Sequence, residues 1–189
     1  MSSPTTIDEL FALYEAKGAE EYGERITQLE HGLQCAALAV QAGAPDALVA
    51  AALFHDVGHL VADLQGTERF DLAVDDDDHE AIGARVLSPI FGPTVAQPVA
   101  LHVTAKRWRC TVEPSYHDTL SEASKATLQA QGGLLDPEAC ERFARHPGHD
   151  DAVLLRSFDD EGKVVGWEVP AMDHYEPMLR QLAAQHHSH

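Results

Sequence analysis

The sequence predicts a single all-α domain, and three observations support that prediction. Apolar residues recur at helical spacing along most of the chain. The breaks between these periodic segments are short and contain glycine or proline. The 189 residues, 44% of them hydrophobic, suffice for one well-buried core but not comfortably for two. We therefore expect residues 1–189 to form one domain with short N- and C-terminal tails.

Cap residues mark the first three predicted helices. Thr6 and Glu9 form a capping-box pattern ahead of an apolar helical segment, which Gly18 would end. A second helix is predicted over residues 27–41, where leucines recur on one face. A third should span residues 45–55, because its proline suits the first helical turn.

The middle of the chain is less regular. Residues 57–78 show no sustained period, so we expect a loop that leads into a helix at His79. Pro93 and Pro98 punctuate the next predicted helix, which contains residues 99–103.

The C-terminal part again reads as helices with short breaks. Four are predicted: residues 120–130, a segment after Asp136-Pro137, residues 152–158 and residues 172–184. The one stretch of strand-like composition is 163–169, which follows a turn-like Asp-Glu-Gly sequence.

Composition excludes several classes of function. A formal net charge of -18 argues against nucleic acid and anionic membrane surfaces as partners, because both require a basic face. No apolar run approaches the roughly 20 residues that span a bilayer, and the N-terminus does not resemble a signal peptide. Three widely spaced cysteines suit a reducing compartment, so we expect a cytoplasmic protein.

Histidine and aspartate residues at predicted helix ends form the main chemical signal. Any one histidine could be an ordinary buried polar residue, but several of these lie where apolar helices meet loops. Nitrogen and oxygen ligands without thiolate suit iron, manganese or zinc. Four histidines and two aspartates can hold two six-coordinate metal ions, with one aspartate bridging them. The candidate ligands are His31, His55, Asp56, His79, His102 and Asp159.

Five longer stretches extend this pattern: YGERITQLEH at 22–31, AALFHDVGH at 51–59, LHVTAKRW at 101–108, LSEASKATLQAQGG at 120–133 and LRSFDDEGK at 155–163. Together with the six candidate ligands, they resemble the HD-domain oxygenases that act on hydroxylated aminoethylphosphonates. The resemblance covers nearly the whole chain. It implies an HD-domain helical bundle that holds two iron ions as a mixed-valent Fe(II)/Fe(III) centre. It also implies O2 as co-substrate and a small organophosphonate as substrate.

The resemblance also implies roles for individual residues. Asp56 would bridge the two irons, and the other five candidate ligands would complete their coordination. A phosphonate pocket would be formed by His59, Lys106, Ser124, Thr127 and Arg156. That set makes independent chemical sense, because an ammonium, a guanidinium, two hydroxyls and an imidazole are donors that a phosphonate can use. His59, Lys106 and Arg156 would act as the catalytic residues around the substrate.

The amino end of the substrate would meet acidic and aromatic residues near position 22. The resemblance places Glu24 at the amino group. Glu21 stands where family members that oxidise the primary amine carry a tyrosine, and Tyr22 is its neighbour. Two carboxylates beside an aromatic ring favour a cation without hydrogen-bond donors. The expected substrate is therefore 1-hydroxy-2-(trimethylammonio)ethylphosphonate, with 2-amino-1-hydroxyethylphosphonate as the other candidate.

Two other functions are compatible with the same residues. In a metal-dependent phosphohydrolase, metal-bound hydroxide would attack phosphorus while Lys106 and Arg156 stabilise the developing charge. His79 and His102, together with the phosphonate pocket, favour the oxygenase over this alternative. A non-catalytic ligand-sensing module would be expected to lack some of the ligands, yet all six positions are present.

Overall fold

The structure, a computed structural model, describes residues 3–20, 25–64 and 78–188, without the side chains of residues 63 and 64. Within these ranges the chain forms eleven helices and no β-strand. The helices are α1 Ile7–Lys17, α2 Gln28–Gln41, α3 Asp46–Phe54, α4 Val57–Leu64, α5 His79–Phe91, α6 Pro93–Val112, α7 Tyr116–Thr119, α8 Glu122–Ala130, α9 Pro137–Ala144, α10 His149–Glu161 and α11 Met172–His187. None of these helices is long and apolar enough to cross a bilayer.

The observed helices confirm the predicted all-α fold class. α1 begins after Thr6, whose side chain accepts a hydrogen bond from the backbone N–H of Glu9. α2 begins with a complete capping box in which Thr27 and Glu30 each accept from the other's backbone N–H. Local capping chemistry therefore sets these two helix starts.

The prediction of a loop over residues 57–78 was wrong at its beginning. Residues 57–64 form α4, where Val57, Leu60 and Val61 are buried and share one helix face. The apolar spacing is helical, but it lasts for only two turns before polar residues follow. Residues 65–77 lie outside the described part of the chain.

The predicted strand at 163–169 was also wrong. A strand needs a neighbouring strand to pair its backbone groups. Here the side-chain amide of buried Gln34 on α2 takes that place: its Nε2 donates to Val164 O at 2.8 Å, and its Oε1 accepts from Val164 N at 2.9 Å. One side-chain amide thus satisfies both backbone hydrogen-bonding groups of Val164, which lies in an irregular segment. The four-residue α7 was not predicted.

α3 forms the centre of the fold and carries part of the candidate site at its end. Its residues 48–54 are all buried and apolar, as expected for a helix surrounded by protein on every side. It contacts α2, α6, α10 and α11. Because α3 ends in the interior, the two residues that follow it, His55 and Asp56, are buried as well.

α4 and α5 approach each other very closely at Gly58. A Cβ atom at this position would lie 2.0 Å from the backbone oxygen of His79. We expect Gly58→Ala to lower the free energy of unfolding by about 3 kcal/mol, because the backbone must move to relieve the overlap. Chemical denaturation would measure this change.

Gly83→Ala is the matched control, since Gly83 is also a helical glycine at this interface. Its Cβ would lie 3.3 Å from a side-chain atom, Val99 Cγ1, and 3.5 Å from the backbone nitrogen of Gly58. We expect a loss of no more than about 1 kcal/mol there. Equal losses in the two variants would contradict the importance of the close approach at Gly58.

Candidate metal centre and anion pocket

Six buried side chains converge between five elements of the fold. α2 supplies His31, the junction of α3 and α4 supplies His55 and Asp56, α5 supplies His79, α6 supplies His102 and α10 supplies Asp159. The structure therefore brings together all six residues that the sequence pattern singled out. Their role as metal ligands remains a prediction.

Asp56 lies between two separate pairs of histidines. Its Oδ2 is 3.6 Å from His31 Nε2 and 3.4 Å from His55 Nε2. Its Oδ1 is 3.7 Å from His79 Nε2 and 3.8 Å from His102 Nε2. Within the pairs, the Nε2 atoms are 3.2 Å apart in the first and 3.1 Å apart in the second. Each carboxylate oxygen thus faces its own pair of imidazole nitrogens.

The outer ring nitrogens of three of these histidines contact backbone carbonyls. The Nδ1–O distances are 2.8 Å from His31 to Gly162, 2.9 Å from His55 to Ala52 and 2.7 Å from His102 to Val99. A carbonyl oxygen can only accept, so Nδ1 donates its proton there and the inner Nε2 is the atom available to a metal.

This donor set fits a pair of hard or borderline metal ions. The inward-facing atoms are 3.1–3.9 Å apart. Neighbouring ligands on one ion, with bonds near 2.1 Å, lie about 3 Å apart. Imidazole and carboxylate together suit iron, manganese or zinc. The geometry therefore offers each of two ions a histidine pair and one oxygen of Asp56.

Cys35 lies close to this cluster without joining it. Its Sγ is 3.8 Å from His31 Nδ1, but the thiol donates to Phe158 O at 3.4 Å. Burial raises the pKa of this thiol well above its ordinary value. The thiol therefore donates to a backbone carbonyl at the edge of the cluster.

Charges within the cluster compensate for burial. Burial disfavours ionised Asp56, but neighbouring histidines, His55 first, hold its pKa below the ordinary value. Burial likewise opposes a charge on His55, yet Asp56 and Asp159 raise the pKa of His55 to about 9. A metal ion bound here would therefore compete with a proton for His55.

Asp159 connects the histidine cluster to a basic pocket. Its Oδ1 is 3.3 Å from His31 Nε2, whereas its Oδ2 accepts from Arg156 Nη1 at 2.6 Å. Burial opposes ionisation of Asp159, but Arg156 and Lys163 hold its pKa well below the ordinary value. One carboxylate thus belongs to both the candidate metal centre and the pocket beside it.

The structure also brings together four of the five residues predicted to bind a phosphonate. Lys106 Nζ on α6 donates to Thr127 Oγ1 at 3.0 Å and to the backbone oxygen of Ser124 at 3.5 Å. Arg156 Nη2 on α10 lies 3.5 Å from Ser124 Oγ. Lys106 and Arg156 are both buried. Two cations and two hydroxyls therefore meet at α8, next to Asp159.

His59, the fifth residue predicted to bind the phosphonate, lies beside the candidate metal centre. His59 stacks on His79, with ring centroids 4.0 Å apart and planes 18° from parallel. The structure therefore places His59 against a candidate metal ligand. Glu21, Tyr22 and Glu24 lie outside the described residues.

Three residues that the sequence argument did not select lie around Arg156 and its partner Asp159. Arg156 Nε donates to Tyr116 OH at 3.0 Å, and its Nη2 donates to Asp160. Tyr116 OH in turn donates to Asp160 Oδ2 at 2.5 Å. Lys163 Nζ lies 3.4 Å from Asp159 Oδ1. Asp160 and Lys163 each follow a selected residue by four positions, a helical spacing that could have revealed them.

Comparison with known proteins assigns the chain to a family. A family described as "HD domain" matches residues 19–151. The chain is 42% identical to hydroxymethylphosphonate dioxygenase of Gimesia maris over 169 residues, which are 89% of this chain and 84% of that protein. It is 35% identical to 1-hydroxy-2-(trimethylamino)ethyl phosphonate dioxygenase (glycine-betaine-forming) of Leisingera caerulea over 181 residues, 95% and 91% of the two chains. The chain therefore belongs to the HD-domain family, as an oxygen-dependent oxygenase related to these two dioxygenases.

Proposed function

We propose that the protein uses two iron ions and O2 to cleave the carbon–phosphorus bond of a small 1-hydroxyphosphonate. The observation that carries this proposal is the position of Asp56, whose two oxygens each face a different histidine pair. That arrangement suits a carboxylate bridge between two metal ions, with the remaining five candidate ligands completing the two sites. The names of the two dioxygenase relatives supply the substrate class.

The proposed reaction balances without an external reductant. The carbon that bears phosphorus loses its C–H and C–P bonds and gains bonds to oxygen, so the hydroxyalkyl group becomes a carboxylate. Phosphorus leaves as inorganic phosphate, and the substrate supplies all four electrons that reduce O2. The trimethylammonio substrate would give glycine betaine, the primary amine would give glycine, and hydroxymethylphosphonate would give formate.

We favour 1-hydroxy-2-(trimethylammonio)ethylphosphonate as the substrate. Glu21, Tyr22 and Glu24 offer two carboxylates and a ring for its cationic end. Hydroxymethylphosphonate, which has no cationic end, is a second candidate because the relative from Gimesia maris is named for it. Both compounds carry the hydroxyl and the phosphonate on one carbon.

The metal and the pocket would share the chemistry. The iron centre, as a mixed-valent Fe(II)/Fe(III) pair, would supply the redox chemistry toward O2 and a Lewis-acid site for the substrate hydroxyl. Lys106, Arg156 and the α8 hydroxyls would hold the phosphonate, so that the adjacent C–H bond keeps one orientation. His59, stacked on His79, would line the same space.

Lys106 makes anion binding dependent on pH. Burial, with further repulsion from Arg156, lowers its pKa to about 7. Lys106 is therefore charged below this pH and neutral above it, so anion affinity should fall as pH rises through 7. We expect the inhibition constant of methanesulfonate, whose own charge stays constant, to rise by as much as about tenfold per pH unit above this point.

The Lys106→Arg variant is the control for that dependence. Arginine keeps its charge throughout the range, so its inhibition constant should change little with pH. A profile that is flat in the native protein, or equally steep in Lys106→Arg, would assign the dependence to another group.

Oxygen uptake measured beside phosphate release tests the proposed function. The protein would be loaded with iron, partly reduced, and given each of the three hydroxyphosphonates in turn. We expect one phosphate released per O2 consumed, fastest with the trimethylammonio compound. A faster reaction with hydroxymethylphosphonate would reassign the substrate, and phosphate release from phosphoesters without oxygen uptake would indicate a phosphohydrolase.

A further inference from the structure

Lys163 lies where the candidate metal centre meets the anion pocket. It follows Gly162, which caps the end of α10, and its side chain is 14% exposed. Its Nζ is 3.2 Å from Ser124 Oγ and 3.4 Å from Asp159 Oδ1. The lysine therefore contacts one member of each group of residues.

Lys163 adds a positive charge to the anion pocket. Arg156 contacts two carboxylates, those of Asp159 and Asp160, and Asp160 also lies 3.5 Å from Arg109 Nη1. The attraction between Lys163 and an anion grows with the charge of the anion, so a doubly charged phosphonate gains more from this lysine than a singly charged anion does.

Lys163 also determines how Ser124 can bond. Lys163 Nζ and Arg156 Nη2 both lie within hydrogen-bond distance of Ser124 Oγ, at 3.2 and 3.5 Å. Ammonium and guanidinium groups can only donate, so the serine oxygen accepts from both. The hydroxyl proton of Ser124 is then directed away from the two cations.

We propose that Lys163 binds the phosphonate and makes the pocket prefer a dianion over a monoanion of similar shape. The inference rests on the proposed function. It assigns the preference to the partly exposed lysine, whereas Arg156 and Lys106 lie deeper in the protein.

Methylphosphonate and methanesulfonate form a matched pair of inhibitors for this test. Both would be measured with the iron-loaded protein at a pH where methylphosphonate is a dianion. In Lys163→Met we expect methylphosphonate to bind about 10- to 100-fold more weakly, the effect of losing one charge-assisted hydrogen bond. Methanesulfonate should weaken by only about 3- to 10-fold, because the Coulomb attraction of Lys163 for a monoanion is half its attraction for a dianion.

Two control variants separate local charge from general damage. Lys163→Arg should keep the preference for the dianion. Lys125→Met, which removes a partly exposed lysine paired with Glu122 on α8, should leave both inhibition constants unchanged. Iron content is measured in every variant, because Lys163 contacts Asp159.

Equal weakening of both inhibitors in Lys163→Met, no weakening of either, or loss of iron would overturn the inference. These outcomes are distinct from failure of the proposed function. The proposed function fails if the native protein consumes no O2 with any of the three hydroxyphosphonates, whatever Lys163→Met does.

Discussion

Replacing Asp56 with alanine is expected to abolish the binding of two metal ions per chain and to reduce turnover by at least about 10³-fold. Among the residues that the structure describes, Asp56 is the carboxylate that faces both histidine pairs, so its removal takes one oxygen from each site at once. The loss of metal affinity should exceed the roughly 10- to 100-fold typical of changes to residues outside the ligand shell. Metal analysis of the iron-loaded variant and oxygen uptake would measure the two effects.

The control for this experiment is Asp46→Ala. Asp46 is an exposed residue in the first turn of α3, the same helix that Asp56 closely follows. This variant should keep both ions and full turnover. If Asp56→Ala still bound two irons per chain while remaining folded, the bridging role would be wrong.

Replacing Arg156 is expected to act on the substrate rather than on the metal. The guanidinium is buried and donates to Asp159, Asp160, Tyr116 and Ser124. Losing one partner of a buried charged interaction costs about 2–5 kcal/mol, so KM should rise roughly 30- to 4,000-fold in Arg156→Leu. Iron content should change far less than KM, because Arg156 contacts only one of the six candidate ligands in these bonds.

Two further variants, Arg156→Lys and Arg142→Leu, are the controls for this experiment. Lysine keeps the charge but loses the planar fork, so Arg156→Lys should raise KM by an intermediate factor. Arg142 forms an exposed ion pair with Glu138 on α9, and its loss should leave KM unchanged. Loss of iron from Arg156→Leu with an unaltered KM would show that the arginine serves the metal centre instead.

Local sequence chemistry predicted the helices well where caps and apolar spacing agreed. Thr27 and Glu30 show this at the start of α2, where the whole capping interaction involves residues three positions apart. The sequence did not predict α4, because the apolar face of this helix is only two turns long. The strand prediction for 163–169 failed because a side chain distant in sequence, Gln34, forms hydrogen bonds with the backbone N–H and C=O of Val164. Such pairing leaves no local sequence pattern.

In the candidate site, too, some residues could be predicted from the sequence and others could not. Histidine and aspartate at helix ends were identifiable because their residue types carry the chemistry. Tyr116 was not, since it reaches Arg156 only when α7 lies against α10, 40 positions away in sequence. Lys163 follows Asp159 at helical spacing, but its contact with Ser124 depends on tertiary structure.

The attachment of residues 162–164 to α2 determines where the chain can tolerate insertions and deletions. His31 Nδ1 donates a hydrogen bond to Gly162 O, and the Gln34 amide forms hydrogen bonds with the backbone of Val164. Two side chains one turn apart on α2 therefore hold the backbone in place on both sides of Lys163. Immediately afterwards the constraint ends: Val165 is exposed, and a Cβ at Gly166 would meet nothing within 4 Å. Related sequences should therefore keep a constant length between Asp159 and Val164, while insertions and deletions accumulate from Val165 onward.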